Sequence, residues 1–213
     1  MSGSDSQFAT TGAALDDADA AMVLLHGRGS TAHSVLQLAA QFDTDGVVYV
    51  APQAPGGAWY PNSFMAPIEA NEPGLSNGLA AIDEAVFHLT EAGIPHNRIA
   101  FGGFSHGACL ASEYVARNPR RWGGLVVFSG GVIGPDGMDL DYEGDLDGTP
   151  VFIGCSDVDP HIPVERVHET TQVLRALGGD VTERIYEGMA HTIVEDEMEH
   201  ARALLSKLAD QTD

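Results

Sequence analysis

Apolar residues fall along this chain in two rhythms. Short unbroken runs, Ala21–Leu25, Val47–Ala51, Gly124–Ser129 and Pro150–Gly154, read as buried strands, and Val181–Tyr186 reads as a last one. Between them apolar positions recur every three or four residues. Val35, Leu38, Ala39 and Phe42 fall at i, i+3, i+4 and i+7, and Leu75, Leu79, Ile82, Val86 and Leu89 repeat until Gly93. That period lays one helix face on a core. Val164, Val167, Thr171 and Leu174 mark a further helix closed by Gly178-Gly179, and Val194, Met198, Ala201, Leu205 and Leu208 mark the last. Residues 1–20 are small, polar and acidic, and predict an edge strand or hairpin frayed at its start. Unbroken apolar strands alternating with amphipathic helices predict an α/β fold, a mostly parallel sheet covered on both faces. No repeat or linker divides the chain, so residues 1–213 are expected to form one domain.

Composition narrows the classes. At 44% hydrophobic the chain suits a packed globule, and no apolar run approaches the ~20 residues of a membrane span. Asp and Glu number 31 against 10 basic residues, a net charge of −21, and Lys207 is the single lysine. Such a surface repels nucleic acid and anionic membranes. Scarce lysine with carboxylates spread along the whole chain points to a protein adapted to high salt. Met1–Gln7 has neither a basic nor an apolar segment of the secretory kind, and Cys109 and Cys155 are the only cysteines. A cytoplasmic protein without a disulfide framework is expected.

The candidate chemistry centres on Gly103-Phe-Ser-His-Gly107, which follows a strand-like run and precedes the helix-like Ala108–Arg117. A serine between two flanking glycines at a strand-to-helix junction is the nucleophile-elbow pattern. The turn is so tight that side chains two residues either side of Ser105 collide with their neighbours, so glycines occupy both places. A serine hydroxyl needs a base, and the base needs an orienting carboxylate. Downstream, one strand opens into Cys-Ser-Asp157-Val-Asp159-Pro-His-Ile-Pro163, and the last strand opens into Glu-Gly-Met-Ala-His191. Either aspartate fits the acid position, and His191 alone among the histidines outside the motifs follows a strand in this way. The residue after the nucleophile, His106, supplies one backbone N–H to a developing oxyanion.

Four segments, His26-Gly-Arg-Gly29, Gly103–Gly107, Asp159-Pro-His-Ile-Pro163 and Gly188-Met-Ala-His191, resemble the phospholipase/carboxylesterase branch of the α/β-hydrolases. The resemblance spans nearly the whole chain. It implies an α/β-hydrolase fold with a minimal lid and selects Asp159 over Asp157 as the acid. It also assigns the second oxyanion N–H to Arg28 and leaves both oxyanion side chains free to vary. The Arg28 guanidinium either lines the pocket or pairs with a carboxylate, and the His106 ring is expected to point away from the site. Trp59, Tyr60 and Phe64 form either a substrate pocket or a packed cluster beneath a loop. A similar Trp-Tyr segment followed by Asn-Glu-Pro, here Asn71-Glu72-Pro73, occurs in esterases linked to aromatic compounds.

The resemblance implies a serine hydrolase acting on carboxylic esters of small or medium acyl or aromatic groups, with no cofactor. A thioesterase or lysophospholipase is the enzymatic alternative, and a non-catalytic small-molecule binder is the contrasting class. A small ester is the expected partner, membrane insertion is not expected, and a homodimer is left open. No metal is expected. The acidic Asp139–Gly144 stretch starts like a calcium loop but has Pro150 where the closing glutamate belongs. Cys155 lacks an elbow and a neighbouring base, so it reads as a buried small hydrophobe.

Overall fold

The computed structural model describes residues 8–42 and 44–210. Seven strands form one sheet: β1 Phe8–Gly12, β2 Ala20–Leu25, β3 Val47–Pro52, β4 Ile99–Phe104, β5 Gly124–Phe128, β6 Pro150–Ser156 and β7 Asp180–Tyr186. Their order is β1-β3-β2-β4-β5-β6-β7. β1 pairs antiparallel with β3 and every other pairing is parallel. The edge strand expected in residues 1–20 is therefore present as β1, while residues 1–7 lie outside the described residues. The helices are α1 Ala32–Val35, α2 Ala39–Phe42, α3 Ile68–Asn71, α4 Gly74–Glu91, α5 His106–Arg117, α6 Val164–Ala176 and α7 Glu195–Ala209.

Alternation along each strand explains why the strands read as unbroken apolar runs. Val23, Phe101, Val127 and Ile153 point to a core shared with α4, α5 and α6. Met22, Ala100, Val126 and Phe152 point to a second core that takes in residues of α1, α2 and α7. Both faces are buried, so neither set can be polar. Among the described residues no helix is long and apolar enough to cross a membrane.

One expected helix differs. The face read from Val35 to Phe42 is broken by the 3-10 turn Leu36–Leu38, which buries Leu36 and leaves Leu38 half-exposed. Tightening from 3.6 to 3.0 residues per turn rotates the face by about 60° over three residues. Leu38 is thereby turned toward the cavity described below.

Candidate active site

Parallel strands end at one sheet edge, and the loops leaving those ends carry the candidate residues. Ser105 sits between β4 and α5 with φ 56 and ψ −117, a conformation that L-residues rarely adopt. Its N–H donates to Phe128 O at 2.9 Å, and its carbonyl accepts from Cys109 N at 2.9 Å. The flanking glycines are required by space. A Cβ at Gly103 would lie 2.7 Å from both Leu25 O and the Gly107 carbonyl carbon, and one at Gly107 would run into Leu25 O.

Asp159 and His191 meet across the loops that follow β6 and β7. His191 Nδ1 lies 2.6 Å from Asp159 Oδ2. The other oxygen, Oδ1, accepts from His161 N at 2.8 Å and Ile162 N at 3.0 Å. Burial pushes the Asp159 carboxyl up, but the bonds from His191, His161 and Ile162 outweigh it and hold the group below its ordinary value. Asp157 faces elsewhere: its Oδ1 accepts from Gly188 N at 2.7 Å, and Ser156 Oγ donates to Met189 O at 2.7 Å. The end of β6 thus grips the loop that carries His191.

Ser105 and His191 line the same cavity, of about 890 Å³. The His191 ring packs on Phe104, the residue before Ser105, at 4.6 Å between centroids. Among the described residues no hydrogen bond joins the Ser105 hydroxyl to the imidazole. Such bonds are often loose before substrate binds. Leu38, Tyr60, Phe64, Phe104, Ile162 and Ile193 are among the apolar side chains of its wall.

The loop after β2 carries Arg28, whose backbone N–H, like that of His106, donates to no acceptor among the described residues. Of the two expectations for the guanidinium, lining the pocket agrees with the structure and pairing with a carboxylate does not. It lines the cavity, yet it is held by Pro61 O at 3.1 Å, Tyr60 O at 2.9 Å and Asn62 O at 2.7 Å rather than by a carboxylate. The expectation that the His106 ring points away is also corrected. The ring lines the cavity, lies edge-on to Tyr60 at 3.9 Å and places Nε2 3.1 Å from Arg28 Nη2. Burial, the Arg28 charge and His26 push its pKa down to about 3, so it is a neutral ring.

The aromatic loop divides. Tyr60 and Phe64 line the cavity, whereas Trp59 does not. Trp59 is buried in the core, packs 4.8 Å from the His26 ring and donates Nε1–H to His26 O at 2.9 Å, tying its loop to the end of β2. Cys109 and Cys155 are free and buried, and burial pushes each thiol up to about 12. Among the described residues no cluster of side chains could hold a metal ion.

Three neighbours of the site were given no role there from the sequence, although His161 and Asn71 lie in segments it singled out. His161 packs its ring on His191 at 4.8 Å and lines the cavity. Its signal was its position two residues after the acid. Asn71 is buried and holds Asn62 N at 2.9 Å and Ser63 O at 2.8 Å, which fixes the aromatic loop. Gln53 accepts from Ala32 N at 2.9 Å with its side-chain oxygen, joining the end of β3 to α1. Neither contact has a local signature.

A largely parallel sheet with a strained serine at the β4–α5 turn, and an aspartate–histidine pair on the loops after β6 and β7, defines an α/β-hydrolase. The chain belongs to the phospholipase/carboxylesterase family, whose sequence pattern matches residues 8–209. Acyl-protein thioesterase 1 of Saccharomyces cerevisiae is 29% identical over 211 residues, covering 87% of this chain and 91% of the yeast protein. The crystal structure of a phospholipase/carboxylesterase from Dyadobacter fermentans is 42% identical and superposes with a TM-score of 0.90, covering 93% of this chain and 95% of that one. Esterase PE8 is 25% identical with a TM-score of 0.79, covering 95% of this chain and 98% of its own.

Proposed function

We propose that this chain is a serine esterase acting on small or medium, predominantly apolar acyl or aromatic esters. The reading is carried by the Asp159–His191 pair at 2.6 Å, which opens onto the cavity that the strained Ser105 also lines. Ser105 Oγ attacks the acyl carbon while its proton passes to His191 Nε2, the ring nitrogen not engaged by Asp159. Asp159 fixes that tautomer and stabilises the imidazolium. The tetrahedral oxyanion accepts from the backbone N–H groups of Arg28 and His106. The ester bond breaks as His191 returns its proton to the departing alcohol. Water then attacks the acyl-enzyme, His191 takes a proton from it, and the acid leaves as Ser105 is regenerated. A wall built mainly from apolar side chains supports an uncharged substrate.

A fluorophosphonate probe tests the reading directly. Wild-type protein is expected to label at one site and to lose p-nitrophenyl acetate hydrolysis in step, and S105A is expected neither to label nor to hydrolyse the ester. A folded wild-type preparation that stays unlabelled would instead favour a binder. The name of the yeast relative supports a second reading, in which the same chemistry cleaves thioesters. p-Nitrophenyl esters of rising chain length, run beside an acyl thioester, separate the two by kcat/KM.

A further inference from the structure

The two residues nominated for their backbone N–H groups are also joined through their side chains. Arg28 and His106 lie 78 positions apart, yet Arg28 Nη2 meets His106 Nε2 at 3.1 Å. The same guanidinium holds three consecutive carbonyls, those of Tyr60, Pro61 and Asn62, and lies 5.9 Å over the Tyr60 ring. One cation therefore spans the loop after β2, the aromatic loop and the first residue of α5.

We infer that the Arg28 and His106 side chains are a positioning pair, a brace that holds the two oxyanion N–H groups at the separation the tetrahedral intermediate needs. This rests on the oxyanion assignment of the proposed function and adds to it: side chains expected to vary freely become part of the machinery.

The chemistry of the ring fits the role. A guanidinium can only donate, so His106 Nε2 must accept and the ring proton sits on Nδ1. That Nδ1 is buried without a hydrogen-bond partner among the described residues. Burial and the adjacent Arg28 charge keep the ring unprotonated, so it does not turn into a second cation facing the first. The side-chain pair adds to the loop's own restraints, among them Trp59 Nε1–H donating to His26 O at 2.9 Å. Gly29 N donates to Gly57 O at 2.8 Å and Ser30 N to Gly27 O at 3.1 Å, but the Arg28 N–H itself is unheld. Its peptide plane is held through Gly27 O, and the guanidinium adds a second anchor from the side chain.

R28M, H106L, H106Q and the R28M/H106L double variant test the brace, with p-nitrophenyl acetate kinetics, phenylboronic acid inhibition and thermal unfolding measured on each. R28M and H106L are each expected to lower kcat by about 10- to 100-fold. KM should stay within about threefold, and boronate affinity should fall in proportion to kcat, since the brace acts on the transition state. The double variant should be no slower than the slower single one, because one link is broken in each. Glutamine restores an acceptor near Nε2, so H106Q should recover most of the loss seen in H106L. The brace is overturned if both single variants keep the wild-type kcat, if their losses multiply in the double, or if the losses appear only in KM. Should R28M fail to fold, the H106L and H106Q comparison decides, because those two differ chiefly by one acceptor. S105A separates the levels: a loss of turnover in S105A with wild-type kcat in R28M removes the brace alone, whereas full turnover in S105A removes the catalytic reading beneath it.

Discussion

Asp157 and Asp159 leave β6 two residues apart, and their carboxylates take different partners. Asp159 accepts from the imidazole and from two backbone N–H groups, whereas Asp157 holds Gly188 N in the loop that carries the imidazole. D159N should lower kcat by about 10³- to 10⁴-fold, because an amide donating to Nδ1 forces the wrong tautomer. D157N keeps an oxygen for Gly188 and should leave kcat within one order of magnitude of wild type. Equal losses in the two variants would undo the assignment. The Asp159 carboxyl lies below its ordinary value, so its contribution to stability is present above the unfolded pKa and fades as pH falls through the folded one. The strained turn at Ser105 and the placement of His191 after a strand left local marks in the sequence, whereas local spacing left Asp157 and Asp159 both open and only the family resemblance chose between them. The Arg28–His106 contact was not legible. It joins residues 78 positions apart through the placement of three loops, and nothing nearby in either segment announces it.

Helix α7 begins just after the His191 loop and carries a buried carboxyl in its first turn. Glu197 Oε2 accepts from Val194 N at 2.8 Å, while Oε1 is buried with no partner among the described residues. A Cβ at Gly154 would run into that oxygen, so β6 has a glycine where the carboxyl presses against it. Burial, helped by Asp196 and opposed by the Val194 bond, raises the Glu197 pKa from 4.5 to about 7. A folded value above the unfolded one means that the folded state binds the extra proton. Stability is therefore full below the unfolded pKa and falls as pH rises through about 7. E197Q keeps an acceptor for Val194 and removes the charge. By urea unfolding it should exceed wild type by about 1–3 kcal/mol at pH 8 and match it near pH 4. Parallel pH curves for the two proteins would show that Glu197 does not titrate in this range. At this scale the strands and long helices were legible from periodicity. The residues between Val35 and Phe42 were misread, since a 3-10 turn and an α-helix share the same apolar composition and differ only in winding.

Across the molecule the excess of acid is the dominant long-range property. With a net charge of −21, like charges repel in the compact state, and added salt shortens their reach from about 10 Å at 0.1 M to about 3 Å at 1 M. The unfolding midpoint should accordingly climb steeply between low and molar KCl. A flat response would remove the case for adaptation to salt while leaving the site chemistry as it stands. The sheet order was implied only in outline by the alternation of strands and helices. Register and the antiparallel pairing of β1 depend on contacts between distant segments, which no single window of sequence contains.

Among the described residues no acidic side chain lines the cavity beside Ser105, although the chain carries 31 of them. An uncharged ester entering there meets little opposition. Once hydrolysed, the liberated acid sheds its proton and becomes an anion, drawn to the Arg28 guanidinium that lines the cavity and repelled by the net negative charge of the protein. The two influences oppose each other, and dissolved ions weaken both.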